Sequence, residues 1–413
     1  GLGEISLSIT TGSRILRIPA KMSLSELENA CGNTSIFPRT AEQSALITFT
    51  SGSSGTPKGA NRTHGFLCAQ HQALRQEFPY ETEDVDMPMF PIFALNNLAQ
   101  GIPSVIPRMD FKNVLGVQGE IIVKQMLENR VSTCTASPPF FDQICSFLEA
   151  RGRRAPKLRR LLTGGAPVSN AQLERWSKFF SSAEITVVYG STEAEPVAHI
   201  SAKNRLLHGS REGSALGYCV GKPTPLLETR LLPICREKTS RGENAWADSF
   251  SKPFQIGELI VSGDHVCKDY YKNDIAVSEN KLRDDRGRTW HRMGDTGYFD
   301  EAGSFWIVGR VHSTIMRGGK YVHPQLVEQA AAESDPQIGR VAAVGLADQE
   351  LGERVVLVLE APPSQQLRDI VSKSLDKAGQ HVDEIRFSAK PLPLDPRHNA
   401  KIDYLRLKES LQD

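Results

Sequence analysis

The chain of 413 residues lacks any apolar run long enough to span a bilayer, and no leader with charged residues ahead of an apolar stretch begins it. An excess of one charge is also missing, because 49 lysines and arginines face 48 acidic residues. We therefore expect no transmembrane segment and no nucleic-acid partner. The first residue is Gly1 rather than methionine, which predicts that an amino-terminal part precedes these residues.

Closely spaced cysteine pairs are absent as well. The seven cysteines are odd in number and scattered, at positions 31, 68, 134, 145, 219, 235 and 267. Metal knuckles and disulfide frameworks need closer or more regular spacings, so the sequence predicts neither. A reducing, cytoplasmic location is the simplest expectation, and the length predicts two or three domains.

Apolar runs alternate with amphipathic patterns in the first half of the chain. Candidate strands lie at residues 45–49, 102–106, 131–136, 158–163 and 185–189. Candidate helices lie at residues 66–77, 118–129, 139–150 and 169–180. This alternation predicts an α/β fold with a mostly parallel sheet, in which ligands bind at the carboxyl ends of the strands.

The second half of the chain has a different pattern of apolar residues. Short apolar runs between glycines and prolines indicate antiparallel strands, and the last hundred residues or so indicate a small α+β module. We therefore predict a core at residues 1–311 and a carboxyl-terminal domain at residues 312–413. Within the core, residues 45–212 form the α/β subdomain and residues 213–311 form a β-rich subdomain.

The most distinctive stretch is TSGSSGTPKG at residues 50–59. A loop of glycines and hydroxyl residues can surround phosphate oxygens with backbone N–H groups, while a lysine supplies positive charge. The common nucleotide-binding loop requires serine or threonine directly after the lysine, but Lys58 lies between Pro57 and Gly59. A flexible surface linker is the alternative for a cluster of serine and glycine.

This order of residues resembles the phosphate loop of the adenylate-forming, AMP-binding superfamily, which includes acyl-CoA synthetases, aryl-CoA ligases, peptide-synthetase adenylation domains and luciferases. Further segments resemble the superfamily in the same order, namely GGA at 164–166, YGSTE at 189–193, the blocks 257–273 and 291–310, and DPRHNAKI at 395–402. The resemblance implies a large amino-terminal α/β domain, incomplete here, followed by a small mobile α+β domain that carries a lysine.

The resemblance also implies ATP and Mg²⁺ as cofactors and AMP as a product. The nucleotide would contact Thr50, Ser51, Gly52, Ser53, Ser54, Gly55, Thr56, Lys58, Gly164, Gly165, Ala166, Tyr189, Gly190, Ser191, Asp295 and Arg310. Among these, Tyr189 would stack on adenine, Asp295 would accept both ribose hydroxyls, and Arg310 would donate to the ribose or a phosphate. The implied catalytic residues are Thr192 on phosphate, Glu193 on Mg²⁺, and Lys401.

Each motif also has a plainer interpretation when taken alone. YGSTE could end a strand and cap a helix, Asp295 could be a turn residue, and Lys401 could be a solvated surface charge. Only the ordered set favours the catalytic interpretation. In the reaction that it implies, a carboxylate attacks the α-phosphorus of ATP, pyrophosphate leaves, and Lys401 bridges the two anions that must meet.

Departures from the superfamily pattern point to one branch. Pro91 in MFPIFALNN (89–97) replaces a histidine associated with gating the acyl pocket, and His312 stands at the usual hinge position. The DPRHNAKI block replaces the usual threonine-glycine-lysine or serine-glycine-lysine run. Together with FPIFAL and YGSTEA, it resembles the β-lactone synthetases of bacterial long-chain olefin biosynthesis.

That branch implies a small-molecule carboxylic acid substrate, a long-chain β-hydroxy acid, which closes to a β-lactone as AMP leaves. An acyl-CoA ligase that transfers the acyl group to CoA is one alternative. A non-catalytic nucleotide-binding protein is another, although Lys58, Glu193, Asp295 and Lys401 are all present. The sequence does not identify the base for the hydroxyl proton.

Overall fold

The computed structural model describes residues 9–10, 22–23, 26, 36–51, 57–111, 113–209, 217–236, 252–394 and 402–412. The chain divides into two compact units, residues 1–40 and 41–413. In the first unit, strands β1 (Ile9–Thr10) and β2 (Met22–Ser23) pair in parallel.

A separate hairpin begins the second unit. It pairs β3 (Ser44–Ser51) with β4 (Pro57–Thr63) in antiparallel register, so that Thr50 lies opposite Lys58. The predicted strand at 45–49 is correct, but its expected place in the parallel sheet is wrong. The reason is local, because residues 57–63 return after a short loop and supply the nearest backbone partners.

An eleven-stranded mixed sheet forms the centre of the second unit. Its strands are β5 (Asp86–Pro88), β6 (Thr133–Ala136), β7 (Arg160–Gly164), β8 (Glu184–Ser191), β9 (Ala194–Ser201), β10 (Tyr218–Pro223), β11 (Glu228–Leu232), β12 (Gly257–Ser262), β13 (Lys281–Arg283), β14 (Thr289–Phe299) and β15 (Phe305–Arg310). Their order is β11-β12-β14-β15-β10-β9-β8-β7-β6-β5, with β13 beside β14. Strands β5 to β8 are parallel and the remaining neighbours are antiparallel. The predicted parallel and β-rich regions are thus continuous in one sheet.

Helices of the described ranges pack around this sheet. Those up to residue 280 are α1 (His64–Glu77), α2 (Pro91–Gln100), α3 (Gly119–Glu128), α4 (Pro138–Ala150), α5 (Asn170–Phe179), α6 (Ala202–Gly209) and α7 (Asp274–Asn280). The four predicted helices correspond to α1, α3, α4 and α5. Short 3-10 turns occupy Val114–Gly116 and Val311–Ser313.

Helix α4 shows how the sequence sets this packing. Pro138 stands in its first turn, where no N–H donor is needed. Apolar side chains then recur at spacings of three and four residues, which puts Phe141, Ile144 and Leu148 on one buried face. The ring centroid of Phe141 lies 5.6 Å from that of Trp176 in α5.

The predicted strand at 102–106 is wrong. The edge of the parallel sheet is Asp86–Pro88 instead, and Ser104 adds only an isolated bridge to Asp86. Pro103 has no N–H to donate, which prevents a regular ladder through this segment. The sequence interpretation also missed α2, which lies directly before it.

A second sheet contains the strands of the carboxyl-terminal region. They are β16 (Ile315–Arg317), β17 (Lys320–Val322), β18 (Val341–Asp348), β19 (Gly352–Glu360) and β20 (Glu384–Ser388), in the order β17-β16-β19-β18 with β20 parallel to β19. Helices α8 (Pro324–Ala332), α9 (Gln365–Lys377) and α10 (Tyr404–Gln412) cover it. Side chains of this region form their own buried clusters, with Val327, Leu357 and Val371 in one and Val344 and Leu407 in another.

Polar contacts join this smaller sheet to the larger one. Gly217 N donates to Gln329 Oε1 at 3.1 Å, and Tyr321 Oη donates to the carbonyl of Ile234 at 3.1 Å. Arg236 also pairs with Glu353. Across the described ranges, no helix combines the length and the apolar character needed to cross a membrane.

We expect Trp176→Ala to lower the free energy of unfolding by about 3–5 kcal/mol, because it leaves a large cavity in the core. Trp176 is 0% exposed, and its Nε1 donates to Asp142 Oδ1 at 2.8 Å. Leu127→Ala is the control, since that side chain in α3 is 60% exposed. Urea unfolding followed by circular dichroism measures both, and equal losses would contradict the assigned core.

Candidate functional site

A cavity of about 540 Å³ opens between the β3–β4 hairpin, α2 and the parallel strands β7 and β8. Its walls are largely apolar, with Phe49 from β3, Phe90 and Ile92 around the start of α2, and Val188 from β8. Pro91, which replaces the expected histidine, also lines it. The shape and lining suit an apolar ligand with a few polar groups.

Backbone glycines form the inner end of this cavity. Gly164 ends β7 and Gly165 follows it, with a φ of 76°, which favours glycine. A Cβ on Gly164 would stand 2.4 Å from the carbonyl oxygen of Val188. Only glycine therefore allows β7 to approach β8 so closely at this point. Ala166, the third residue of the motif, is half-buried.

Hydroxyl groups near the glycines lack partners. Ser191 Oγ and Thr163 Oγ1 are buried and form no hydrogen bond within the described residues, and both residues line the cavity. Gly190 and Thr192 line it as well. Unsatisfied hydroxyls beside glycines fit a ligand that brings hydrogen-bonding groups, as a nucleotide does.

A second group of side chains meets around Tyr270, beside the turn that connects β8 to β9. It includes two of the predicted residues, Lys58 and Glu193. Tyr270 Oη donates to Glu193 Oε1 at 2.8 Å. Lys58 Nζ lies 5.8 Å from the centroid of the same ring and 3.6 Å from Glu279 Oε2. Lys281 Nζ lies 5.1 Å from the ring centroid and donates to the carbonyl of Cys267. The structure thus brings Lys58 and Glu193, distant in sequence, to one tyrosine.

The surroundings of Glu193 favour its ionised form. Burial by itself opposes ionisation, but the nearby Lys281 and the hydrogen bond from Tyr270 outweigh it and lower the pKa of Glu193. Burial and, second to it, the nearby Lys281 lower the pKa of His291 to about 3. His291 is therefore a neutral histidine at physiological pH.

A third group surrounds Asp295. Tyr189 Oη donates to Asp295 Oδ2 at 2.6 Å, and Arg310 donates to Oδ1 at 2.8 Å. Asp295 and Arg310 are direct neighbours across the β14–β15 ladder. Burial and the Asp295 carboxylate raise the pKa of Tyr189, so the phenol keeps its proton. Each carboxylate oxygen still has a lone pair for a further donor, such as a ribose hydroxyl.

Some predicted residues remain apart from these groups or lie outside the described ranges. Thr50 is the next-to-last residue of β3, and its Oγ1 donates to the carbonyl of Lys58 at 3.4 Å. Ser51 is the last residue of the same strand. Residues 52–56 and Lys401 lie outside the described residues. His312, at the predicted hinge, is exposed in a 3-10 turn after Arg310.

Two charged residues of the cavity were missed by the sequence interpretation. Arg62 on β4 is only 2% exposed, and Glu195 is the second residue of β9. Both line the cavity. Lys58, Ala60 and Arg62 occupy alternate positions of β4 and therefore lie on one face of the strand. This alternation was the available sequence signal, but it does not show that an arginine on that face is buried.

Comparisons with known proteins give a family and several relatives for this chain. A sequence profile of the AMP-binding enzyme family matches residues 11–271. Olefin beta-lactone synthetase from Xanthomonas campestris pv. campestris is 28% identical over 406 residues, which cover 95% of this chain and 71% of that protein. Olefin beta-lactone synthetase from Stenotrophomonas maltophilia is 29% identical over 410 residues, which cover 95% of this chain and 72% of that protein.

Solved structures share the fold. O-succinylbenzoate coenzyme A synthetase from Bacillus subtilis, in complex with ATP and magnesium ion, matches with a TM-score of 0.72 at 20% identity. The match covers 95% of this chain and 76% of that chain. The mixed α/β fold expected from the sequence is therefore confirmed.

We expect Tyr270→Phe to cost about 1–3 kcal/mol of stability at neutral pH, because a buried carboxylate loses its donor. The folded-state pKa of Glu193 lies below the ordinary value of 4.5, so its stabilising effect is present above that pH and is lost as the pH falls. The variant should consequently lose less stability than the parent protein on acidification.

Urea unfolding at a series of pH values measures this difference. Tyr271→Phe is the matched control, because the neighbouring tyrosine is 45% exposed. A variant at position 270 with the stability and pH dependence of the parent would refute the role of this hydrogen bond.

Proposed function

The chain belongs to the AMP-binding enzyme family, and on that premise we propose that it converts a long-chain β-hydroxy acid into a β-lactone in two steps. The first step is the one that adenylate-forming enzymes share, in which ATP activates a carboxylic acid and pyrophosphate leaves. In the second, the β-hydroxyl attacks its own activated carbonyl and expels AMP.

The observation that carries the proposal is the cavity itself. Its apolar walls at Phe49, Phe90 and Ile92 suit an alkyl chain, while its inner end has glycines and unpartnered hydroxyls. An acid bound there would have its carboxyl group beside Gly164 and Thr192. The similarity to two olefin beta-lactone synthetases over 95% of this chain supports the choice of a β-hydroxy acid.

In the first step, the protein must bring two anions together. We assign Thr192, Ser191 and the loop 50–58 to the phosphates, with Lys58 supplying positive charge. Asp295 would hold the ribose, because its two oxygens can accept from two neighbouring hydroxyls. Lys401 would neutralise the carboxylate and the α-phosphate as they approach.

The residues also fit a magnesium ion that is held mainly by the phosphates of ATP. Mg²⁺ typically takes one or two protein carboxylates together with substrate phosphates, and Glu193 is such a carboxylate. Within the described ranges, no cluster of three histidine, cysteine, aspartate or glutamate side chains offers a site made by protein alone. When bound, the ion would neutralise phosphate charge.

The second step needs no second substrate. The nucleophile and the carbonyl belong to one bound molecule, so no entropy of association opposes ring closure. Exclusion of water by the apolar walls would keep the adenylate from hydrolysis. We further propose that residues 312–413 act as a domain separate from residues 1–311, turning near His312 to bring Lys401 to the site.

An acyl-CoA ligase is the second candidate. The observation that favours it is the shared fold with a coenzyme A synthetase over 95% of this chain. In that case a thiol would replace the internal hydroxyl as the nucleophile. Both candidates share the first step and differ only in the acceptor of the acyl group.

We expect ATP, Mg²⁺ and a long-chain β-hydroxy acid to yield pyrophosphate, AMP and a lactone without CoA. Mass spectrometry identifies the product, since the lactone is lighter than the acid by one water. The same acid without its β-hydroxyl group is the control and should give no lactone. A thioester that forms only with CoA present would overturn the proposal.

We expect Lys401→Ala to slow adenylation by about a hundred- to a thousandfold, because a prepositioned charge is lost. ATP binding, measured by calorimetry, should persist. Lys390→Ala is the control, because that lysine is exposed in the same region. Pyrophosphate release from Lys401→Ala at the parental rate would refute the assignment of this lysine.

A further inference from the structure

The segment that carries Lys401 is anchored by described residues on both of its sides. Leu394 and Ile402 form an isolated antiparallel bridge. One residue further on, Asp403 N donates to the carbonyl of Pro393 at 2.8 Å. Lys401 itself lies outside the described residues, but it is bonded to Ile402, and consecutive Cα atoms are about 3.8 Å apart. The contacts that fix the chain just after the lysine therefore limit where the lysine can reach.

Tyr404, the first residue of α10, forms a hydrogen bond outside its own helix. Its Oη donates to Glu328 Oε1 in α8 at 2.8 Å, and the same oxygen accepts from the N–H of Ala343 in β18 at 2.9 Å. Its ring packs against the buried cluster that contains Val344 and Leu407. Burial and, second to it, the Glu328 carboxylate raise the pKa of Tyr404, so the phenol keeps its proton and acts as the donor.

Helix α8, which provides Glu328, also contacts the larger sheet. Gln329, the next residue, accepts through its Oε1 from the N–H of Gly217 at 3.1 Å. Leu326, on the same helix, belongs to the same buried cluster as Trp306 of β15. Helix α8 thus connects the chain that follows Lys401 with the sheet that holds most of the residues assigned to the nucleotide.

A lysine that neutralises two approaching anions must be held in place before they meet. Electrostatic stabilisation depends on such prepositioned groups, and a misplacement of about 1 Å can cost about a hundredfold in rate. We propose that Tyr404 and Glu328 are positioning residues for adenylation, which hold the segment of Lys401 against α8 so that the lysine reaches the carboxylate and the α-phosphate. This inference rests on the proposed role of Lys401.

The hydrogen bond lies wholly within the proposed carboxyl-terminal domain. Glu328, Ala343 and Tyr404 all belong to residues 312–413, so the bond persists when this region turns as one body near His312. The residues assigned to the nucleotide lie before residue 312. Loss of the bond should therefore change the rate of the chemical step and leave the binding of ATP as it is.

Removal of the phenol hydroxyl tests the inference. Tyr404→Phe keeps the ring in its cluster but deletes the donor. Pyrophosphate release from ATP, Mg²⁺ and a long-chain β-hydroxy acid should then slow about ten- to a hundredfold, because the lysine is displaced. The loss should appear in kcat, with KM for ATP unchanged. Circular dichroism and calorimetric ATP binding of the variant should match those of the parent protein.

The decisive comparison uses a protein that lacks the lysine. A residue that acts through Lys401 has nothing to position in Lys401→Ala, so adding Tyr404→Phe to that variant should change pyrophosphate release by less than about twofold. An equal slowing by Tyr404→Phe with and without the lysine would overturn the inference, because the tyrosine would then serve folding or another part of the site.

Variants of the acceptor complete the series. Glu328→Ala removes the acceptor and should slow adenylation as Tyr404→Phe does. The double variant should be no slower than either single variant, within about twofold, because the two residues are partners in one bond. Glu328→Gln keeps an acceptor oxygen and should retain more of the rate than Glu328→Ala. Glu409→Gln is the matched control and should keep the parental rate, because that glutamate is exposed on α10.

The outcomes distinguish this inference from the proposed function. Pyrophosphate release from Tyr404→Phe within about twofold of the parental rate, or a loss that appears only as a higher KM for ATP, would overturn the positioning role. A parent enzyme that releases pyrophosphate but forms no lactone would overturn the proposed second step and leave this inference intact. Pyrophosphate release from Lys401→Ala at the parental rate would overturn both the role of the lysine and this inference.

Discussion

The tight turn between β8 and β9 is the constraint on which the site depends. Residues 189–195 reverse the chain there, and the hydrogen bonds of this segment reach three other parts of the unit. Tyr189 bonds to Asp295, Glu193 accepts from Tyr270, and Thr192 accepts from Arg62. A shift of this turn would therefore disturb the proposed binding sites for the ribose, the metal ion and the acyl group together.

The site contains charged side chains whose burial costs free energy. Lys281 is buried, and burial lowers its pKa despite the counteracting charge of Glu193. Such groups persist in a fold when hydrogen bonds and opposite charges offset the cost of removing them from water. Their concentration around Tyr270, beside an apolar cavity, is what favours a catalytic interpretation, since perturbed groups cluster at functional sites.

Local patterns predicted the elements better than they predicted the partners. Helix α4 could be identified because its apolar spacing and Pro138 both act within one segment. The predicted strand at 45–49 was assigned to the wrong sheet, since pairing depends on which backbone lies nearest in space. The segment 102–106 was misread because an apolar run interrupted by Pro103 cannot form a regular ladder, and the edge of the sheet formed at Asp86–Pro88 instead.

By itself the sequence determined the family-level chemistry, because the motifs, YGSTE among them, occur together in one order, and no single motif is specific alone. Tertiary structure alone decided that Lys58 and Glu193 meet at Tyr270, and that Arg62 and Glu195 line one cavity. The reason is physical. Burial, unsatisfied donors and pKa shifts arise only when segments remote in the chain exclude water from one another.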